Sequence, residues 1–170
     1  DDIARCGGPG DPRTPGDGTV SFQPDADLVL NDSVPFEDKE YIDAGPRPDS
    51  VAPRCFAPET KTPISPGSPG CPEEWIGPDR VYVTWTRFDL DGTSRIHLSY
   101  SDDRARSWSV PRAISGSAPF CVGGNCDQNQ FSVPTVSPET GVLYVAFENF
   151  NTPDENQWVV VRSSDGGQTF

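Results

Sequence analysis

Two short stretches of the sequence combine carboxylates and hydroxyl groups at the same spacing. Residues 101–108 read SDDRARSW and residues 163–170 read SSDGGQTF. An acidic residue held in a Gly-rich turn could be a chemical site, but it could also be a turn that caps itself. Ser and Asp side chains accept hydrogen bonds from backbone N–H groups a few residues further along. The shared pattern Ser-x-Asp-x-(Gly/Ala)-x-(Ser/Thr)-aromatic therefore predicts a tight loop held by its own side chains.

Each fixed position of this octapeptide has a structural role in the predicted turn. Gly167 suits a position with positive φ, and Ala105 at the same place should cost about 1 kcal/mol. The final aromatic residue starts the next strand and can bury its ring against the sheet. We assign these roles to Ser101, Asp103, Ala105, Ser107 and Trp108 in the first copy, and to Ser163, Asp165, Gly167, Thr169 and Phe170 in the second.

The strands before the two octapeptides repeat as well. Residues 80–108 align with residues 142–170 without a gap, and the strand VYVTW at 81–85 lies over LYVAF at 143–147. Internal repetition is a strong signal of fold. The octapeptide resembles the Asp-box, or BNR repeat, of sialidases and related β-propellers. The resemblance implies a sialidase-like propeller in which the octapeptide is structural and lies away from the active site.

We therefore predict an all-β chain that is a fragment of a β-propeller, with about two four-stranded antiparallel blades. Residues 1–37 are an irregular segment with possible strands of a preceding blade at 19–22 and 28–30. Residues 38–114 form one blade, with strands at 38–43, 81–88, 95–101 and 110–114 and a Pro-rich insertion at 44–79. Residues 115–170 form a second blade with strands at 132–136, 142–150 and 157–163, and its fourth strand would begin at Phe170.

Antiparallel strand order places the octapeptides and the insertion on one rim and the remaining loops on the opposite rim. Ligands bind where loops project from a rigid scaffold, so a binding site is expected on that opposite rim. Its loops span residues 31–38, 89–94, 115–130 and 151–156. They carry the polar residues Asp38, Asp89, Asp91, Asp127, Gln128, Asn129, Asp154 and Glu155.

Active sialidases combine an arginine cluster, an Asp acid/base and a Tyr nucleophile helped by Glu. On this resemblance Arg87, Glu148 and Asp38 are the catalytic candidates, because they lie near strand ends beside this rim. The alternative for each is a solvated charge at the end of a strand. The family's arginine before an Ile-Pro pair is not found in this sequence.

Two further groups could do chemistry. Asp89 and Asp91 stand in an Asp-x-Asp-Gly sequence that could bind calcium or form a turn. The single histidine, His97, lies in the middle of a predicted strand and is expected to pack there, since no Ser or Cys partner is indicated. We predict no cofactor.

The charge balance restricts the partners. There are 13 basic and 26 acidic residues, and the net charge of −13 disfavours nucleic acid and anionic membranes. We expect a glycan or glycoconjugate partner, with a protein partner as a further possibility. No apolar run reaches the ~20 residues that span a bilayer.

The five cysteines favour disulfides over a zinc site, since His97 is the only other strong ligand. We predict the pairs Cys55–Cys71 and Cys121–Cys126, with Cys6 left over, and a secreted or cell-surface location. The resemblance implies an exported sialidase-like protein that acts on glycans by exo-glycosidic cleavage. The alternative is a non-catalytic propeller that binds glycan or protein through the loop-rich rim. The octapeptides alone do not decide between them.

Overall fold

The structure is a computed structural model that describes residues 35–116, 125–151 and 157–170. These residues form nine strands and one turn of 3-10 helix. The elements are β1 (Phe36–Pro46), β2 (Cys55–Phe56), β3 (Pro63–Ile64), the 3-10 turn (Glu73–Trp75), β4 (Asp79–Phe88), β5 (Ser94–Ser101), β6 (Arg112–Ala113), β7 (Asn129–Val136), β8 (Leu143–Asn149) and β9 (Gln157–Ser163).

The strands form two main antiparallel sheets. The first has the order β1-β4-β5-β6 and the second has the order β7-β8-β9. In both sheets the strands stand side by side in chain order, apart from the insertion between β1 and β4. A small antiparallel meander of this kind is the unit of a β-propeller blade. The predicted all-β class, with a four-stranded and a three-stranded antiparallel sheet, is confirmed.

The main core lies between the two sheets. Apolar side chains of β4 and β5 meet those of β7, β8 and β9 with almost no solvent exposure. The buried members are Tyr82, Ile96, Leu98, Ile114, Val136, Leu143, Val145, Phe147 and Val159. Packing of one sheet face on another buries each contributing strand on alternate residues. This core fixes the two sheets as one unit.

The strand β4 is buried on both of its faces. Tyr82 faces the second sheet, while Val83 and Trp85 form another cluster with Trp108. A strand with no strongly polar face is expected to be covered on both sides. In the repeated strand β8, by contrast, Tyr144 is 40% exposed, although its counterpart Tyr82 is fully buried.

Several boundaries differ from the predictions. β6 covers only two residues of the predicted 110–114, and β7 begins at Asn129 rather than at Ser132. The insertion 44–79 contains the short pair β2 and β3 as well as its disulfide. The possible strands at 19–22 and 28–30 lie outside the described residues. No helix of the described residues is long and apolar enough to cross a membrane.

Candidate functional site

Loops of the two sheets meet at the rim that the sequence indicated. The Ser94 backbone N–H donates to the Asp127 carbonyl at 2.6 Å, and the Gln128 amide donates to the Gly92 carbonyl at 2.8 Å. Ser94 and Gln128 also form an isolated parallel bridge. The loops at 89–94 and 125–128 are therefore neighbours. Asp154 and Glu155 of the predicted rim lie outside the described residues.

An ion-pair cluster occupies the part of the rim that follows β4. The Arg87 guanidinium donates to Asp89 at 3.0 Å and lies 3.5 Å from Glu37. Arg95 lies 3.3 Å from Asp89 and 3.7 Å from Asp91. Both arginines are thus already matched by carboxylates of the same chain. Neither guanidinium is presented alone to bind the carboxylate of a ligand.

A network of asparagine side chains joins the two sheets under the rim. The Asn149 amide donates to the side-chain oxygens of Asn129, at 2.8 Å, and of Asn151, at 2.7 Å. Asn129 donates to the Ser94 carbonyl at 3.0 Å, and Asn151 donates to the Asp127 carboxylate at 2.7 Å. Asn129 and Asn149 are fully buried. Buried amides with satisfied partners fix the loops that they connect.

The three catalytic candidates do not converge. In the ungapped alignment Arg87 is the counterpart of Asn149, and Glu148 is the counterpart of Thr86. Glu148 pairs in register with Trp158 and points away from the core, because its neighbours on β8 face the first sheet. Arg87 points to the other side of the first sheet, and Asp38 contacts Lys39. The described residues therefore contain no assembled acid/base and nucleophile.

The Asp89–Asp91 loop has the hydrogen bonds of a turn. Gly92 has a φ of 83° and donates its N–H to the Asp89 carbonyl at 3.0 Å. Hydrogen bonds from the Thr93 hydroxyl and backbone N–H lower the pKa of Asp91. Among the described residues, no three His, Cys, Asp or Glu side chains cluster closely enough to hold a metal ion. Calcium binding here stays a prediction, and calorimetric titration with calcium tests it.

His97 lies in β5 with its ring stacked on Trp85 at a centroid distance of 5.9 Å. Burial lowers its pKa below the usual value. It packs in the strand as expected.

The first octapeptide is closed by its own side chains. The Ser101 hydroxyl donates to Asp103 at 2.8 Å and accepts the Ala105 N–H at 2.9 Å. The Asp103 carboxylate also accepts the Ser107 N–H at 2.9 Å and the Ser107 hydroxyl at 2.6 Å. Ala105 has a φ of 62°, so the predicted left-handed conformation is confirmed.

The second octapeptide repeats the same four hydrogen bonds. Ser163 donates to Asp165 at 2.6 Å and accepts the Gly167 N–H at 2.8 Å, and Asp165 accepts the Thr169 N–H at 2.9 Å and hydroxyl at 2.5 Å. Partial burial alone would raise the pKa of Asp165. The hydrogen bonds from Ser163, Thr169 and Gln168 outweigh burial and lower the pKa to about 2. The Asp165 carboxylate therefore makes these hydrogen bonds within its own turn and serves to close that turn.

A buried ion pair connects the two octapeptides. Arg80 and Asp102 are fully buried, and the guanidinium makes two 2.8 Å hydrogen bonds to the carboxylate. Arg80 also donates to the Gly166 carbonyl at 2.6 Å, across the sheet interface, and lies 3.8 Å from the centre of the Tyr100 ring. Burial alone would lower the pKa of Arg80, but the hydrogen bonds and charge of Asp102 raise it above its usual value. Sequence reasoning missed this pair.

The final aromatic residues of the two octapeptides differ in environment. Trp108 is 6% exposed and packs with Val83 and Trp85, whereas Phe170 is 40% exposed. Phe170 lines a cleft of about 240 Å³ between the outer edges of the two sheets, with Ile114, Phe147, Val159 and Val161 among its other walls. Arg112 and Ser115 also line the cleft, so its walls are of mixed polarity.

The insertion lies on the octapeptide side, as predicted. The Phe56 N–H donates to the Ser107 hydroxyl at 2.8 Å, and a disulfide joins Cys55 to Cys71. The predicted Cys55–Cys71 pair is therefore confirmed. Cys126 is also disulfide-bonded, while its predicted partner Cys121 and the remaining Cys6 lie outside the described residues.

The first strand of each main sheet carries a β-bulge that sequence reasoning missed. The register shifts within 38–41 of β1 and within 130–133 of β7, opposite equivalent positions of β4 and β8. Lys39 has a φ of 59° and Phe131 a φ of 58°. The long insertion hides this part of the repeat, because it changes the spacing between β1 and β4. Because each of these strands has a residue with positive φ at the equivalent position, β1 and β7 are a second candidate for a functional site, besides the rim loops.

Searches against family models, curated proteins and solved structures found no match to this chain. The assignment of a function therefore depends on the geometry described above.

Proposed function

We propose that this chain forms two blades of an Asp-box β-propeller of the sialidase-like kind, and that it belongs to an exported protein that recognises glycans. The main support is the pair of octapeptide turns. Both turns close with the same four hydrogen bonds, and both follow the third strand of stacked antiparallel sheets. A self-capped Ser-x-Asp turn at this point of a four-stranded unit is the feature that the Asp-box resemblance implies.

Recognition fits the described rim better than catalysis. Arg87, Glu148 and Asp38 point in different directions, and the two rim arginines are paired with carboxylates. What the rim offers instead is a rigid polar surface of carboxylates and amides, held by the Asn129 and Asn149 network. Such groups accept and donate hydrogen bonds to sugar hydroxyls without any proton transfer. Fold alone does not decide function, so the proposal depends on this site.

Export is supported by the cysteines. The Cys55–Cys71 bond closes a 16-residue separation within the insertion, and Cys126 is also disulfide-bonded. Disulfides of this kind persist in oxidising compartments, which include the outside of the cell. The excess of acidic residues agrees with a secreted chain kept in solution by its charge.

Two measurements on the same protein test the proposal. Binding to an array of neutral and sialylated oligosaccharides is expected, with no turnover of a fluorogenic sialoside. Turnover would replace recognition by the alternative function, exo-glycosidic hydrolysis. Folded protein that neither binds any glycan nor cleaves the sialoside would refute a role on glycans and leave a protein partner.

A further inference from the structure

The paired bulges on β1 and β7 are costly features. A residue other than glycine in the left-handed region costs roughly 1–3 kcal/mol, and such residues persist where the surrounding structure holds them for a function. Here Lys39 and Phe131 both adopt it, with φ of 59° and 58°, although a glycine at either place would remove the cost. Bulges also redirect side chains. In both sheets a bulge with a positive-φ residue thus sets the direction of a large side chain, which is Lys39 in β1 and Phe131 in β7.

The two aimed side chains meet each other across the sheets. The Lys39 ammonium lies 5.1 Å from the centre of the Phe131 ring, and it also contacts the Asp38 carboxylate. Solvent still reaches the cluster, because Phe131 is 40% exposed and the side chains of Lys39 and Asp38 are 30% and 35% exposed. The Phe131 ring, the Lys39 ammonium as a hydrogen-bond donor and the Asp38 carboxylate as an acceptor therefore lie together at the surface.

We propose that the paired bulges form a subsite for a neutral sugar ring. The exposed surface of Phe131 packs against the apolar C–H face of the sugar. The Asp38 carboxylate accepts hydrogen bonds from the hydroxyl groups, and the Lys39 ammonium donates to hydroxyl oxygens. This inference rests on the proposed recognition of glycans and names the residues and the class of sugar.

The charges favour a neutral sugar over an acidic one. The ammonium of Lys39 is compensated by Asp38, and among the described rim residues the guanidinium groups of Arg87 and Arg95 are compensated by carboxylates such as Asp89. The whole chain carries a net charge of −13, which repels anionic ligands. An acidic sugar would have to break one of these pairs. A neutral sugar leaves them intact.

The test compares Phe131→Gly with the wild-type chain on an array of neutral hexose-, N-acetylhexosamine- and sialic acid-terminated oligosaccharides, followed by calorimetry on the strongest neutral hit. Glycine suits the φ of 58°, so this variant removes the ring and keeps the backbone conformation of the bulge. Trp158→Ala is the matched control, because Trp158 is 63% exposed on β9, on the face that points away from the first sheet.

The wild-type chain is expected to bind a neutral oligosaccharide. Phe131→Gly should weaken the affinity at least tenfold while still unfolding cooperatively in urea, and Trp158→Ala should leave the affinity unchanged. Equal affinity of Phe131→Gly and wild type for the same glycan would overturn the subsite but keep the proposed function. Binding confined to sialylated glycans would overturn the neutral class. If wild type binds no glycan at all, the proposed function fails and the subsite fails with it.

Discussion

Replacing Asp102 by Asn should destabilise the protein by about 3–5 kcal/mol, because it leaves a buried arginine without its counter-charge. The Asp102 carboxylate is fully buried and accepts two hydrogen bonds from Arg80 at 2.8 Å and one from the Arg54 N–H at 3.0 Å. The amide of Asn has the same shape but offers an NH₂ group to one of the Arg80 donors. At least one hydrogen bond to a charged group is lost, at roughly 1.5–3 kcal/mol. The unbalanced charge accounts for the remainder.

This loss is a large part of the 5–15 kcal/mol that stabilises a typical domain. Equilibrium unfolding in urea measures it, with fluorescence of the four tryptophans as the signal. Asp89→Asn is the control, since Asp89 is paired at the partly exposed rim and should change the free energy of unfolding by only about 0–1 kcal/mol.

The double variant Arg80→Met/Asp102→Leu removes the buried arginine together with its partner and should recover part of the lost stability, since Arg47, 3.6 Å from Asp102, and the Arg54 N–H still lose their acceptor. Two results would refute the reasoning. One is an Asp102→Asn protein within about 1 kcal/mol of wild type. The other is a double variant no more stable than the single one.

Three further changes test the turns and the insertion. Arg104→Gly should stabilise the protein by about 1 kcal/mol in urea unfolding, because Arg104 is exposed with a φ of 59° and the relief of the left-handed cost exceeds the entropy that glycine adds to the unfolded chain. Arg106→Gly, at a position without positive φ, should instead destabilise it. The pKa of Asp165 is about 2 in the folded protein and 3.8 ordinarily, so its ionised form contributes stability above pH 3.8 that is lost as the pH falls through 2. The difference in unfolding free energy between wild type and Asp165→Asn should therefore shrink across this window, and a constant difference would contradict the assignment. Changing Cys55 and Cys71 together to Ser should cost about 3 kcal/mol in the same measurement, and an unchanged urea midpoint would contradict a structural role.

The repeated strands were predictable because their alternation and their spacing agree. β4, β5, β8 and β9 lie within two residues of the predicted bounds, since residues 80–108 and 142–170 align without a gap. The strands β1 and β7 were harder to predict from the sequence. Their bulges interrupt the alternation, and the insertion at 44–79 removes the common spacing that would have revealed their equivalence.

The contacts between the repeats could not be predicted from the octapeptide pattern. Asp102 occupies one of its variable positions, so its sequence context gave no reason to single it out. Its partner Arg80 stands at the start of a strand, where a charged residue is usually solvated. The insertion, which contacts Asp102 through the Arg54 N–H, and the second octapeptide, which contacts Arg80 through the Gly166 carbonyl, bury the pair. Burial of this kind depends on three distant segments meeting.

The hydrogen bond from Arg80 to Gly166 has a consequence for the order of the repeats. The counterparts of Arg80 and Asp102 in the second copy are Val142 and Ser164, so of the two described copies only the first carries this ion pair. A methyl group on Gly166 would lie 2.5 Å from the Arg80 guanidinium. The second copy therefore needs glycine at this position when it packs against the first copy. The two repeats are therefore not interchangeable modules. A chimera that swaps or duplicates the repeats would leave Arg80 without the Gly166 carbonyl at one junction. Longer arrays engineered from this sequence therefore have to keep Arg80, Asp102 and Gly166 together.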